Sequence, residues 1–248
     1  MNFRLIESSG TGQWNMAVDE SILENVISGK SNPTLRLYSW SNTCVSIGYF
    51  QGIHDSINTD KCNELGITIL RRTTGGGTVL HDKELTYSFV LPVSLVPPDV
   101  VESYRFLCAI ILSSLQELGI NAVFKPINDI LVENKKISGS AQTRRGGCLL
   151  QHGTIILDYN PEAMFNVLKI NKAKSKGKTI EEMKKSITSI NEITGKNPLD
   201  ELKELIVKNS EKNFSKTFTK SKLTEKEAFL AQKLEKEKYS SHKWTFMR

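Results

Sequence analysis

The 248-residue sequence has no stretch approaching the roughly 18–20 consecutive apolar residues of a membrane span. Its first residues, MNFRLIESSGTGQW, lack a basic stretch followed by an apolar one, so neither a secretory leader nor a membrane partner is expected. Cysteine is scarce: Cys44, Cys62, Cys108 and Cys148 are scattered, with no C-x-x-C and no regular histidine spacing. That argues against a disulfide framework and against a protein-held metal, and makes a reducing cytoplasm the natural setting. No G-x-G-x-x-G or Walker loop occurs, so the common nucleotide-binding folds find no support. Basic and aromatic residues are not interleaved in the manner of single-strand binders, and nucleic acid is not an expected partner.

The composition is that of a globular protein, with 39% hydrophobic, 24% charged and 8% aromatic residues. Its net charge of +6 is uneven: residues 171–248 hold 19 of the 33 basic side chains but only 11 of the 27 acidic ones. An acidic protein partner or a phosphorylated ligand suits such a distribution.

Strand and helix patterns alternate through the first two thirds. Phe3 to Glu7 reads as a strand, and Trp14, Val18, Ile22 and Val26 recur at helical spacing before Gly29. TLRLYSW and TCVSIGYF, parted by Ser-Asn, suggest a hairpin. A short helix near Asp60 to Leu65 precedes the strands ITILRR and ELTYSFVL. After Pro97-Pro98-Asp99, an apolar stripe from Tyr104 to Leu118 marks a long helix that Gly119 stops. NAVFK, DILVEN, KKISGSAQ and CLLQHGTIILD follow as strands in close succession. The expected fold class is α+β, a mixed, mainly antiparallel sheet flanked by helices. From about Lys172 the chain turns polar and lysine-rich. PLDELKELIVKN and a capping box at Thr224 and Glu227 then predict helices, the second running to about Tyr239. Residues 1–190 read as the principal domain and 191–248 as a small, basic, helical extension.

Three segments carry chemistry. Arg71-Arg72-Thr73-Thr74-Gly75-Gly76-Gly77-Thr78 lies between two strands. Three glycines in a row suit a sharp turn or a backbone that touches a ligand, and bare amides with two arginines suit an anion. A glycine-rich turn with solvated arginines is the alternative. In Asn128-Asp129-Ile130 through Lys135-Lys136-Ile137-Ser138-Gly139-Ser140-Ala141, a hairpin returns Lys136 toward Asp129, and the small residues leave room for a ligand. A surface Lys-Lys turn would look the same. In Gln151-His152-Gly153-Thr154 a glycine interrupts an apolar strand, as at a bulge or a close approach, and His152 could orient a carboxylate or sit hydrogen-bonded in the interior.

Taken in order, RRTTGGGTVLHDKELTYSF, NDILVENKKISGSAQ and QHGTIILD closely resemble the signatures of the lipoate–protein ligase A and octanoyltransferase family, within the biotin/lipoate ligase fold. WNMAVDE, SIGYFQ and the closing KWTFMR are similar to that family too. The resemblance implies that Arg72 and Gly77, Thr78, Val79 and Leu80 line an adenylate site with Gly75 and Gly76 as its backbone wall. It implies Lys136 as catalytic lysine, His81, Asp129 and His152 near the ligand, and the loop around Lys174 to Lys178 as a closing segment. The implied reaction is that of an ATP-dependent ligase: lipoate, ATP and Mg2+ give lipoyl-AMP, which then acylates a lysine. Lipoyl domains of 2-oxoacid dehydrogenases, or the glycine cleavage carrier protein, are the implied acceptors. An ATP-independent octanoyl or lipoyl transferase is the alternative, as is a catalytic subunit that needs a separate accessory protein. The family's transferases carry a reactive cysteine upstream of the K-I-S-G-S-A strand, where this sequence has Pro126-Ile127-Asn128-Asp129. Cys148 lies downstream instead, flanked by apolar residues that suit a buried thiol.

Overall fold

The computed structural model describes residues 2–169 and 179–248. The loop around Lys174 to Lys178 lies outside them. The described chain forms an α+β fold on a mostly antiparallel eight-stranded sheet. Strand β1 (Phe3–Gly10) runs parallel to β2 (Thr34–Trp40). Antiparallel pairings then continue through β6 (Glu84–Pro92), β10 (Cys148–Ile156), β9 (Lys135–Arg145), β8 (Asp129–Val132) and β7 (Val123–Lys125). At the far edge, β11 (Phe218–Lys220) pairs in parallel with β1.

Alternation along these strands sends side chains to two differently covered faces. Leu35, Leu37, Leu85, Phe89, Leu91, Leu149 and Ile155 face one way. They pack against α4 (Val100–Glu117) and the helix Leu199–Phe214 through Leu107, Ile111, Leu115, Leu202 and Ile206. Tyr38, Trp40, Val90 and Leu150 face the other way, against α1 (Gly12–Ile27). Helix α1 begins at Thr11, whose hydroxyl accepts the Trp14 amide, and ends at Ser28 with Gly29 at φ 67°, the left-handed conformation glycine tolerates best. Helix Glu225–Leu234 lies beside α1 and opens with the capping box at Thr224 and Glu227. Glu227 also accepts from Arg4 at 2.5 Å, a buried pair that fastens this helix to β1.

One local expectation fails. β2 and the following strand, β3 (Cys44–Ile47), form no hairpin. Both edges of β2 are taken by β1 and β6, so β3 starts a second sheet between β4 (Thr68–Arg71) and β5 (Val79–His81). Ser-Asn lacks the Asn-Gly or Gly-X chemistry that closes a tight two-residue hairpin, and the chain swings away after Trp40. This small sheet, with its own apolar cluster of Val45, Ile47, Leu80 and Val167, stands over the α1 side of the main sheet. A cavity lies between the two sheets.

Candidate active site

The cavity measures about 220 Å³ and is lined from both sheets. Met16, Tyr38, Trp40 and Thr86 supply a predominantly apolar end, while Lys136, Asn128 and the glycine turn border the polar part. Of the residues singled out from the sequence, Arg72, Gly76, Gly77, Thr78, Val79, Leu80, His81, Lys136 and His152 all line it. Gly75 and Asp129 stand just behind the wall: Gly75 through its carbonyl on Arg72, Asp129 through Lys136.

Lys136 owes its position to a local turn. Glu133 and Asn134 both take positive φ, 48° and 65°, which closes β8 onto β9 with the tight reversal a two-residue hairpin needs. Its ammonium then meets the Asp129 carboxylate at 2.6 Å, with both side chains part-exposed. Gly139, directly across from Asp129, is the residue that makes this contact fit, since a Cβ there would stand 2.6 Å from the lysine nitrogen. Ser186 and Thr188 bond to the backbone of Lys136 and bring Ile187 into the lining. Lys135, its neighbour, points to an exposed pair with Glu192 at 3.0 Å.

The expectation that Arg71 and Arg72 seek phosphate gives way to a different arrangement. Both are buried and both guanidinium groups bond inward. Arg72 gives its five N–H bonds to five acceptors: Thr74 Oγ1, Ser46 Oγ and O, and the carbonyls of Gly75 and Gly77. Burial lowers its pKa to about 10, which leaves it a cation at neutral pH. Arg71 bonds to the carbonyls of Gly48, Tyr49 and Gln51 on one side and of Thr245 and Arg248 on the other. A buried cation requires such acceptors, and main-chain oxygens provide most of them here.

From Arg72 two matching arms run to the histidines. Thr74 Oγ1 lies 2.8 Å from His152 Nε2, and His152 Nδ1 lies 3.1 Å from Asp19. Ser46 Oγ lies 2.6 Å from His81 Nε2, and His81 Nδ1 bonds to Glu84. The network assigns the tautomers: each Nδ1–H donates to a carboxylate and each Nε2 accepts a hydroxyl proton. Burial lowers the His152 pKa, against the opposing pull of Asp19. Burial would raise Asp19, but the His152 hydrogen bond and the Arg36 charge hold it below its ordinary value. Arg36 and the Tyr38 hydroxyl complete the Asp19 shell at 2.8 and 3.0 Å. With both ring nitrogens of each histidine engaged, these side chains shape walls and carry no free base. His81 further stacks on Trp40 with ring centroids 3.7 Å apart.

Gly153 sits in regular pairing rather than at a bulge, and it lines the cavity. A Cβ there would point away from the cavity to the α4 side, where its closest atom would be the hydroxyl of Tyr87, the cross-strand partner of Gly153. That hydroxyl meets Ser140 at 2.7 Å and Ser140 lies 3.7 Å from Cys108, so the glycine makes room for an interior polar contact. Cys108 therefore sits on the α4 side, its thiol pushed up to about 11 by burial. Cys44, Cys62 and Cys148 are free and buried as well, each with its thiol raised by burial, and none of the four lines the cavity.

Sequence reasoning did not single out Met16, Tyr38, Trp40, Asp19 or Glu84. An acid at Asp19, one turn after Met16 on the apolar side of a helix, is the one signal that could have found a buried polar centre. The others depend on which sheet faces which.

Across residues 11–211 the sequence matches the model of the lipoyl protein ligase A/B catalytic domain. The chain belongs to that family. Among its relatives, the octanoyltransferase LipM of Anoxybacillus flavithermus is 34% identical, spanning 99% of this chain and 98% of its own. The archaeal bi-partite lipoate protein ligase of Thermoplasma acidophilum superposes with a TM-score of 0.86 at 27% identity, covering 99% of this chain and 96% of that one. A lipoate-protein ligase A bound with ATP gives 0.85 at 26% identity, covering 99% of each. The family member is thus an enzyme of lipoyl or octanoyl transfer. The name of the LipM relative matches the transferase alternative rather than the ligase implied by the motifs. No helix of the described residues is long and apolar enough to cross a membrane.

Proposed function

We propose that the chain acylates the ε-amine of a lysine on a lipoyl-acceptor domain, through an acyl-adenylate and without an acyl-cysteine. The observation that carries this reading is the place of the thiols. Every cysteine of the sequence lies among the described residues, each is buried, and none reaches the cavity. A nucleophilic cysteine needs an accessible site that favours the thiolate, and burial here does the reverse.

In the first step the carboxylate of an octanoyl- or lipoyl-type acid attacks the α-phosphorus of ATP and pyrophosphate leaves. In the second the lysine amine attacks the acyl carbonyl, loses a proton, and AMP departs. Both steps build negative charge on oxygen at the polar part of the cavity, where Lys136 is a part-exposed cation. The arrangement fits a nucleotide in one further respect. Arg72 holds the carbonyls of Gly75 and Gly77 inward, so the N–H groups are the polar atoms the glycine turn has left for phosphate oxygens. Among the described residues no group of three His, Cys, Asp or Glu side chains could hold a metal, so Mg2+ would enter on the phosphates of the nucleotide.

The second reading, thioester-dependent octanoyl transfer, is favoured by the LipM relative. One assay separates the two: apo lipoyl domain with ATP, Mg2+ and lipoate or octanoate in one tube, and with an octanoyl-loaded carrier protein in another, read by intact mass. Acylation in the ATP tube supports the adenylate route. Acylation in the carrier tube alone overturns it. Silence in both calls for pre-formed acyl-adenylate. Transfer from that donor retains the second step and assigns the first to a separate accessory protein, whereas no transfer overturns the reading.

A further inference from the structure

Residues 242–248 are far from the cavity in sequence, yet one side chain joins them to its glycine turn. The Arg71 guanidinium collects Gly48, Tyr49 and Gln51 carbonyls at 3.0, 3.1 and 2.7 Å, and the Thr245 and Arg248 carbonyls at 3.1 and 3.4 Å. From the tail side, Trp244 Nε1 returns a hydrogen bond to the Arg71 carbonyl at 2.9 Å, and the Ile53 amide donates to the Arg248 carbonyl at 3.2 Å.

The 48–51 turn in its stead braces the glycine turn at three places. The Tyr49 amide donates to the Thr74 carbonyl at 2.9 Å, and Gln51 Nε2 donates to Thr78 Oγ1 at 3.1 Å. Gly48 lies so close to the Gly76 carbonyl that no Cβ could stand between them. Gly76 itself holds φ at 94°, a conformation other residues rarely adopt, so the turn has one shape to be braced in. Arg72 fixes this turn from inside the cavity wall and Arg71 fixes its outer support.

We propose that Arg71 is a positioning residue that couples residues 242–248 to the glycine turn, making the last residues of the sequence a structural part of the acyl-activation pocket. The claim that the coupled pocket activates an acyl group rests on the function proposed above, but the coupling itself does not. A lysine at position 71 has at most three donors for five carbonyls, so the tail and the 48–51 turn could no longer be held together.

Two variants test the coupling. Arg71→Lys removes the fork, and Trp244→Phe keeps the ring but deletes the N–H bonded to Arg71. Hydrogen exchange by mass spectrometry reads the peptides that cover Gly48 to Gln51 and Thr74 to Thr78, and steady-state kinetics reads the donor substrates separately from the acceptor domain. In both variants exchange at these peptides should rise, about tenfold in Arg71→Lys and two- to threefold in Trp244→Phe, while β6 and β10 keep wild-type protection. The apparent KM for ATP or acyl donor should rise by similar factors with the acceptor KM unchanged. Unaltered exchange at the two turns in Trp244→Phe would overturn the coupling, even if Arg71→Lys fails to fold. A fall in kcat and melting temperature with every KM unchanged would reduce Arg71 to a general stabilising residue. If the wild type turns over no donor, the exchange data alone still decide the coupling, and the functional reading falls separately.

Discussion

Arg71-Arg72 and Lys135-Lys136 look alike in the sequence, two adjacent cations at the edge of a small-residue segment, and the fold uses them in opposite ways. The arginines are drawn into the interior and direct their guanidinium groups to carbonyls and hydroxyls of their own chain. The lysines stay part-exposed at the end of a hairpin, each with one carboxylate. The planar, always-charged fork suits the first task, since it can satisfy several acceptors at fixed angles. The mobile ammonium suits the second, since it can follow charge as it shifts between carbonyl and phosphate. Scaffold and chemistry are thus divided between two basic pairs, and the division can be tested from either side.

The largest effect on stability is expected at the scaffold. Arg72→Gln leaves up to five buried acceptors short of donors and should lower the unfolding free energy by about 3–5 kcal/mol in chemical denaturation. A loss below about 1 kcal/mol would place Arg72 among ordinary surface cations. Acid should reveal the same interior. The depressed His152 pKa means the unfolded chain takes a proton first as pH falls below 6.5, so stability is level above that value and declines beneath it. The depressed Asp19 pKa adds a second decline as pH falls below 3.8, where the unfolded carboxyl is protonated before the folded one. His152→Gln should abolish the first decline in thermal melts across pH and reduce the second to what Arg36 sustains.

On the chemical side, Asp129→Asn should retain the fold while acyl transfer slows by about tenfold, because Lys136 loses the partner that orients it. Unchanged turnover would remove Asp129 from the site. The smallest effect belongs to Lys135→Ala. Its pair with Glu192 is exposed, so stability should move by less than about 0.5 kcal/mol and turnover by nothing measurable.

The sequence was most informative where the chemistry is local. The Asp129–Lys136 approach depends on a short reversal within one hairpin, and the long α4 stripe depends only on helical period. Where long-range packing decides, the local sequence carries no signal. Nothing in Arg71-Arg72 tells whether a cation faces water or carbonyls, because their acceptors come from Ser46, Gly48 and Thr245 in other segments. The hairpin expected from TLRLYSW and TCVSIGYF failed for the same reason: β1, across helix α1, and the distant β6 occupy both edges of β2. Trp40 against His81 is a contact between the two sheets, so it was invisible until the second sheet was known.

Single-turnover acyl transfer from pre-formed acyl-adenylate to an apo lipoyl domain, with wild type and Lys136→Ala side by side, tests the division of labour most directly. The account predicts a rate lower by about 10²–10³ in the variant, with an unfolding free energy within about 0.5 kcal/mol of wild type because the side chain is part-exposed. Wild-type transfer by Lys136→Ala would contradict it and move the search for the reacting group away from the β8–β9 hairpin.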